Sequence, residues 1–353
     1  MYLYLTADKI GGPSGGSTVT HHESEALRSL GPCEVWGRDH LRGQGDEPWA
    51  YDKNASEEYF YRQQGGLKLA LAHVYAGTFT ETVESLQRRG CTVTYTAAAH
   101  DKDASRREHE KLGIPYEYPH LTDLEQWKRY VGGYLAADVL ICPSKHSADV
   151  MRSYGAKKRI DIIPHGVDVP VEVKPLPKRF VVGYLGALGP DKGVRYLLEA
   201  WKRLNYKDAV LVLAGRDSTS DWARLLYHSF GIGSNVHFAG WQKDVSNFYN
   251  AISLYVQPSV SEGWGIEVLE AMAHGRPVIC SNGAGAVDAV PYTDSQTCRA
   301  GDVAHLAAQI DKAYSQRSQT TSTELGQENR KVAEKFTWTA IHERYTQLWR
   351  GLL

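Results

Sequence analysis

Short apolar runs alternate with amphipathic helical patterns along most of the chain. In the first half we predict strands at 2–5, 34–36, 68–74, 92–96, 138–142 and 159–163. The helices predicted between them span 17–30, 79–88, 121–137 and 145–154, and apolar residues at 26, 27 and 30 give the first of them an apolar stripe. Strands that alternate with helices in this way are typical of parallel sheets flanked by helices.

The alternation stops in the middle of the chain, where prolines at 164, 170, 175 and 177 fall within 14 residues. Proline fixes the backbone and removes a hydrogen-bond donor, so we predict an interdomain connector here. Beyond it we predict strands at 180–185, 209–214, 236–238, 252–256 and 277–280. The helices of this half are predicted at 194–204, 221–230, 245–250, 266–274, 304–315, 322–334 and 337–349.

Composition fits two ordinary globular domains. The chain has 353 residues, of which 42% are hydrophobic and 23% charged, so a sizeable core can be buried. Its net charge of -1 gives no general attraction to nucleic acid or to anionic membranes. The five cysteines form no CxxC pair, and four of them lie in or beside apolar runs. With no signal-peptide pattern and no apolar run of about 18 residues, we expect a cytoplasmic protein.

Two glycine-rich turns connect a predicted strand to a predicted helix, one in each half. The first, at 11–17, ends in Gly15, Gly16 and Ser17. Glycines let the backbone approach a ligand, and a helix start favours an anion, but the turn matches neither the dinucleotide fingerprint nor the phosphate loop. A flexible turn with Ser17 as helix cap explains it equally well. The second, at 186–193, carries Lys192, which is placed to reach a phosphate or is simply exposed.

The segment 262–279 holds the most specific pattern. Glu262 lies on a glycine-rich loop, and Glu270 lies inside the helix that we predict to follow. A carboxylate on the loop and another inside the helix can accept hydrogen bonds from separate sets of ligand hydroxyls. The loop and the helix start offer backbone N–H groups to a phosphate. A nucleotide sugar has both kinds of group. We interpret Glu267 as an ordinary first-turn acid that suits the helix dipole.

These residues resemble a known family, the retaining glycosyltransferases of family 4 with the GT-B fold. Glu262 and Glu270 match its E-x7-E box, and 163–168 (IPHGVD) match its interdomain I-P-N-G-V-D, with histidine for asparagine. The pair Gly15–Gly16 and the aromatic start of the last helix, 336–338, also match. The resemblance is strong over 137–353 and weaker over 1–136.

The resemblance implies an α/β architecture of two Rossmann-like domains whose parallel sheets face an interdomain cleft. Residues 1–165 would form the acceptor-side domain, 166–335 the nucleotide-sugar-binding domain, and 336–353 a helix that returns to the first domain. The activity it implies is retaining transfer of a sugar from a UDP- or GDP-linked donor to an acceptor hydroxyl of a glycan or a small molecule. Neither a metal ion nor a cofactor is expected.

Roles for individual residues follow from the same resemblance. The catalytic residues that it implies are His100, Glu262 and Lys192. The donor-binding residues that it implies are Gly15, Gly16, Gly186, Lys192, Gly265, Ile266 and Glu270. Within this set, Lys192 would neutralise the diphosphate, Glu262 would contact the donor sugar, and Glu270 would hold the ribose. His73 and His165 compete with His100 for the place beside the sugar.

One position departs from the family pattern. Ala187 stands where these enzymes usually carry an arginine of the phosphate clamp, and Arg216 is a possible substitute. Alternatively, activity is weak or lost, and the chain is a non-catalytic or other nucleotide-sugar-binding protein, for example an epimerase. The segment 101–103 (DKD) mimics a metal-binding DxD motif, but we interpret it as a coincidence in a polar loop.

Overall fold

The computed structural model describes residues 1–6, 15–36, 68–75, 80–99, 101–113, 124–215, 233–291, 296–317 and 319–353. The chain divides into two compact units. The first unit is built from Met1–Ala99, Tyr116–Gly166 and Trp338–Leu353, and the second from His100–Pro115 and Val167–Thr337.

Strands and helices alternate through both units. The strands are β1 (Tyr2–Thr6), β2 (Cys33–Trp36), β3 (Leu71–Tyr75), β4 (Thr92–Thr96), β5 (Val139–Cys142), β6 (Arg159–Ile162), β7 (Val181–Leu185), β8 (Val210–Ala214), β9 (Val236–Gly240), β10 (Leu254–Gln257), β11 (Val278–Ser281) and β12 (Thr297–Cys298). The helices are α1 (Gly15–Arg28), α2 (Thr80–Arg88), α3 (Lys102–Leu112), α4 (Leu124–Ala136), α5 (Lys145–Ser153), α6 (Val194–Leu204), α7 (Val245–Ala251), α8 (Ile266–Ala273), α9 (Val303–Ser315), α10 (Gln319–Ala333) and α11 (Trp338–Arg350).

The first unit contains a six-stranded parallel sheet in the order β2-β1-β3-β4-β5-β6. Parallel strands with helices on their faces are buried on both sides, so they consist of nearly continuous apolar runs. β3 and β5 are buried along their whole length. The last helix of the chain, α11, packs on α1 in this unit, where the rings of His22 and Trp338 stack at 3.9 Å.

The second unit contains another six-stranded parallel sheet in the order β12-β11-β10-β7-β8-β9. Its core includes apolar side chains of β7, β8 and α6, and Trp201 of α6 is only 3% exposed. β7 is the first strand of this sheet along the chain, β8 and β9 extend the sheet on one side, and β10 returns to the other side of β7. The strand order therefore reverses between β7 and β10.

Two parts of the chain differ from the elements predicted. Residues 101–103 are not a polar loop, because the Asp101 side chain accepts hydrogen bonds from the N–H groups of Asp103 and Ala104 and so caps α3. Strand β12 was not predicted, since it is only two residues long. The predicted helix at 221–230 lies outside the described residues.

Residues 101–113 also group with the second unit, although they fall inside the predicted first domain of 1–165. The Asp101 N–H donates to Ser261 Oγ at 2.6 Å. Further along α3, Glu108 is 2% exposed and accepts a hydrogen bond from the Tyr196 hydroxyl at 2.7 Å. These contacts join residues that are far apart in sequence, so the local pattern did not reveal them. Each helix in the described ranges is too short or too polar to span a lipid bilayer.

Candidate functional site

The residues of interest in the second unit gather where its strand order reverses. In open α/β sheets, ligands bind at the carboxyl ends of the strands that flank such a reversal. The turn after β7 starts at Gly186, and the segment after β10 runs from Pro258 to Gly265. The two are close in space because β7 pairs with β10, although the chain between them first forms β8 and β9.

The conformation of the turn after β7 is fixed by a glycine and by hydrogen bonds to its backbone. Gly186 has a φ of +153°, and a Cβ there would lie 2.9 Å from the Tyr184 hydroxyl, so glycine is required. The Gly186 N–H donates to the Ala214 carbonyl at 3.0 Å. The Tyr184 hydroxyl in turn donates to the Ala187 carbonyl at 2.5 Å, and the Ala187 side chain is exposed.

Lys192 closes the short helical turn that follows, Pro190–Lys192, and forms an ion pair with Glu262. Their side chains are only 24% and 10% exposed. Burial alone would lower the pKa of Lys192, but the Glu262 carboxylate holds it above its ordinary value. Burial would likewise raise the pKa of Glu262, but Lys192 and hydrogen-bond donors keep it below its ordinary value. Both groups are therefore charged at neutral pH.

Glu262 is also held from the side of β10. Gln257 Nε2 donates to Glu262 Oε2 at 2.8 Å, and Ser259 Oγ donates to the same oxygen at 2.7 Å. Buried carboxylates keep their charge where hydrogen bonds and a cation compensate the loss of water. The carboxylate of Glu262 is thus fixed in position before any ligand arrives.

Helix α8 begins immediately beyond this carboxylate. Gly265 precedes it with a φ of +97°, a conformation that glycine adopts easily, and a Cβ on Gly265 would lie 3.5 Å from the Glu262 carboxyl group. Because glycine has no side chain, it gives the first turn of α8 no side-chain cap. The N–H groups at the start of α8 favour an anion, although that of Val268 already donates to the Gly265 carbonyl at 3.1 Å.

Glu270 lies further along α8 and is bound by another helix. The Tyr249 hydroxyl of α7 donates to Glu270 Oε2 at 2.7 Å. Burial raises the pKa of Glu270, and the negative charge of Asp168 adds to the effect. One of its oxygens thus has a partner, and the carboxyl group can accept further hydrogen bonds from hydroxyls.

The structure brings together six of the residues predicted from the sequence. They lie around the carboxyl ends of β7 and β10 and are Gly186, Lys192, Glu262, Gly265, Ile266 and Glu270. Gly15 and Gly16 lie in the first unit, where they form the first residues of α1. This helix begins two residues before Ser17, so Ser17 is inside it and is not its cap. His100 and Arg216 lie outside the described residues.

The other two candidate histidines are buried in the first unit. His73 is 0% exposed on β3, where its Nε2 lies 3.2 Å from Glu23 Oε2 and its Nδ1 lies 2.8 Å from Thr94 Oγ1. His165 is 6% exposed, and burial lowers its pKa to about 4, so it is neutral at physiological pH. These surroundings give His73 a structural role within its unit.

Sequence reasoning missed three side chains that complete the site. Gln257 and Ser259 hold Glu262, and Tyr249 holds Glu270. Gln257 and Ser259 alternate at the end of an apolar strand, a pattern that indicates two side chains on one face. Tyr249 lies 21 residues before Glu270, and nothing in the sequence pairs them. Among the described residues, no group of three or more histidine, cysteine, aspartate or glutamate side chains is arranged to hold a metal ion.

Comparisons with known proteins match both units. The family model of glycosyl transferases group 1 matches residues 171–332, and that of glycosyltransferase family 4 matches residues 114–170. The capsular polysaccharide biosynthesis glycosyltransferase CapM of Staphylococcus aureus is 29% identical over 185 residues, which is 51% of this chain and 48% of that relative. The lipopolysaccharide core biosynthesis glycosyltransferase LpsE of Rhizobium meliloti is 28% identical over 226 residues, 60% of this chain and 64% of that relative. The matched stretch spans about half or less of the first curated relatives.

Solved structures match over nearly the whole chain. The sucrose-phosphate synthase of Thermosynechococcus elongatus has a TM-score of 0.76 at 20% identity, over 99% of this chain and 98% of that one. Anabaena Alr3699/HepE, solved in complex with UDP-glucose, has a TM-score of 0.71 at 16% identity, over 99% of this chain and 100% of that one. At such identities the likeness concerns the fold.

Two Rossmann-like units with parallel sheets, together with these neighbours, define a GT-B protein. The predicted α/β fold of two Rossmann-like units is confirmed. The chain belongs to the glycosyltransferase group 1 family, of the family 4 type.

Proposed function

We propose that this protein transfers a sugar from a UDP- or GDP-linked donor to an acceptor hydroxyl of a glycan or a small molecule, with retention of configuration and without a metal ion or cofactor. The observation that carries the proposal is the ion pair of Lys192 and Glu262 beside the uncapped start of α8. Membership of the family supports transfer, and the neighbour solved with UDP-glucose supports a nucleotide-sugar donor.

The chemistry of the reaction explains why these groups serve it. Breaking the sugar–phosphate bond leaves negative charge on the nucleoside diphosphate and positive charge on the sugar ring. Lys192 and the N–H groups at the start of α8 stabilise the departing diphosphate without a metal ion. Glu262, fixed by Gln257 and Ser259, accepts hydrogen bonds from the donor sugar. No carboxylate is assigned as a nucleophile, so the acceptor attacks from the face that the phosphate leaves, and the phosphate takes its proton.

The overall proposal is tested with a panel of UDP- and GDP-linked sugars. Release of the nucleoside diphosphate is measured with and without pools of glycan and small-molecule acceptors, and in the presence of a chelator. We expect one donor to be turned over, faster with an acceptor and equally fast with the chelator. Binding of a nucleoside diphosphate without turnover of any donor would instead favour the non-catalytic alternative that Ala187 suggests. Failure of every nucleotide to bind would overturn both.

Glu270 provides a direct test of nucleotide binding. Replacing Glu270 with alanine or glutamine is expected to weaken binding of the nucleoside diphosphate about 10- to 100-fold, the effect of losing hydrogen bonds to a charged group. Calorimetric titration gives the dissociation constants. Tyr249→Phe is the matched control, since it removes the contact to Glu270 but keeps the carboxyl group. Unchanged affinity in both Glu270 variants would remove this residue from the site.

Restoring the family's arginine tests the turn after β7. Because the Ala187 side chain is exposed, Ala187→Arg should fold normally, and we expect it to tighten diphosphate binding about two- to fivefold, the range of an exposed ion pair. Ala187→Gln is a long, uncharged control that should bind as the wild type does. Looser binding by the arginine variant would show that this turn does not face the diphosphate.

A further inference from the structure

Three carboxyl groups lie on the wall formed by the 258–265 loop and α8, and they differ in their partners. Glu262 accepts hydrogen bonds from Lys192, Gln257 and Ser259, and Glu270 accepts one from Tyr249. Glu267, between them in the first turn of α8, is different: no side chain in the described ranges donates a hydrogen bond to its carboxyl group. The partly buried carboxyl group of Glu267 is therefore available for contact with a ligand.

The Glu267 carboxyl points to the turn after β7. Its Oε1 lies 3.8 Å from the position of a Cβ on Gly186, and the Tyr184 hydroxyl lies 2.9 Å from the same point. The Tyr249 hydroxyl, which donates to Glu270, also lies 3.3 Å from the Glu267 backbone carbonyl oxygen, so α7 contacts this turn of α8 as well. Glu267 therefore lies between the start of α8, whose N–H groups the proposed function assigns to the diphosphate, and the turn after β7 that leads to Lys192.

The charges around Glu267 oppose its ionisation. Burial and the negative charge of Glu262 raise its pKa to about 8, Glu270 adds to the rise, and Lys192 opposes it. The nearby phenols of Tyr249 and Tyr255 have pKa values well above their ordinary value because they are buried. They are neutral at physiological pH and add no charge. Glu267 therefore loses its proton near pH 8.

We propose that Glu267 must carry a proton for the nucleoside diphosphate to bind, so that the donor enters this site together with one proton from the solvent. The inference rests on the proposed function, because it concerns how that site accepts the diphosphate. An ionised carboxylate here would repel the diphosphate, and Ala187 supplies no charge to offset it. The neutral acid instead donates its O–H to a phosphate oxygen, which makes Glu267 a residue that sets donor affinity.

The experiment is calorimetric titration with UDP and GDP between pH 7.5 and 9.0. A second phosphate ionisation has a pKa of about 6, so the nucleotide phosphates are fully charged throughout this range. If binding requires a group of pKa about 8 to be protonated, the dissociation constant of the wild type rises about eightfold across the range. Titrations in buffers of different ionisation enthalpy should show uptake that approaches one proton per nucleotide at the upper end.

The variants Glu267→Gln and Glu267→Ser should bind with an affinity that changes little with pH and without proton uptake. Glu324→Gln, which removes an exposed carboxylate from α10, is the matched control and should behave as the wild type does. A wild type without pH dependence, or glutamine and serine variants that keep it, would overturn the inference while nucleotide binding still supports the proposed function. Absence of any nucleotide binding at pH 7.5 would overturn the proposed function and this inference together.

Discussion

Replacement of Lys192 by alanine is expected to lower kcat/KM for the donor about 100- to 1,000-fold. The magnitude is that of removing one preorganised group that stabilises developing negative charge. Lys192 is three-quarters buried and stays charged, so its interaction with a departing diphosphate is weakened little by water. Initial rates of nucleoside diphosphate release, measured over a range of donor concentrations, give kcat and KM separately. A loss mainly in kcat would assign Lys192 to the transition state and not to ground-state binding.

The ion pair with Glu262 complicates this variant. Without Lys192, the partners of the Glu262 carboxylate among the described residues are Gln257 and Ser259, and a buried charge that loses its cation destabilises the fold. Lys192→Arg keeps the charge, and the double variant Lys192→Ala with Glu262→Gln removes both charges. We expect the arginine variant to retain most of its turnover, and the double variant to recover stability but not activity. A double variant as active as the wild type would exclude Lys192 from catalysis.

The parts of the site that could be predicted from the sequence are those fixed by short spacing. Glu262 and Glu270 are eight residues apart across one loop and one helix start. Their positions, one on the loop and one inside the helix, therefore follow from local structure. Gly186 was recognisable for a similar reason, since a strand that turns directly into a helical segment needs a special backbone conformation.

The surroundings of these residues could not be predicted in the same way. The local sequence predicts that Glu267 is an ordinary first-turn acid, but its carboxyl group faces Gly186, about 80 residues earlier, because β10 pairs with β7. Likewise, α3 was missed because its mean polarity is high, and it is held to its unit by single contacts such as that of Glu108 with Tyr196. Such contacts depend on the order of the strands in the sheet, and the local sequence pattern does not reveal that order.

Replacement of His73 by alanine is expected to lower the free energy of unfolding by about 1–3 kcal/mol, the effect of leaving a buried hydrogen-bonding group without one of its partners. Glu23, which lies 3.2 Å from His73 Nε2, is only 1% exposed. It also accepts hydrogen bonds from Tyr4 at 2.8 Å, Thr96 at 2.9 Å and Tyr345 at 2.5 Å. Without the imidazole, the buried carboxylate keeps these donors but loses its contact with His73. Urea denaturation followed by circular dichroism measures the change.

The same variant has a defined pH dependence. Burial alone would raise the pKa of Glu23, but His73 and its hydrogen bonds hold it below its ordinary value of 4.5. A lowered carboxyl pKa contributes stability that is present above pH 4.5 and is lost as the pH falls through the folded-state pKa. The difference in the free energy of unfolding between the wild type and His73→Ala should therefore have its full value at pH 7 and decrease below about pH 4.

A second variant separates this charge effect from the cavity that alanine leaves. His73→Ala combined with Glu23→Gln removes the charged carboxylate, so it should recover part of the lost stability. Tyr345→Phe, which removes one neutral donor from α11, is the control and should cost about 1–3 kcal/mol, the range for leaving a buried acceptor with one partner fewer. If the double variant is less stable than His73→Ala alone, or if the loss is the same at pH 3 and pH 7, the buried contact of His73 with Glu23 does not anchor this core.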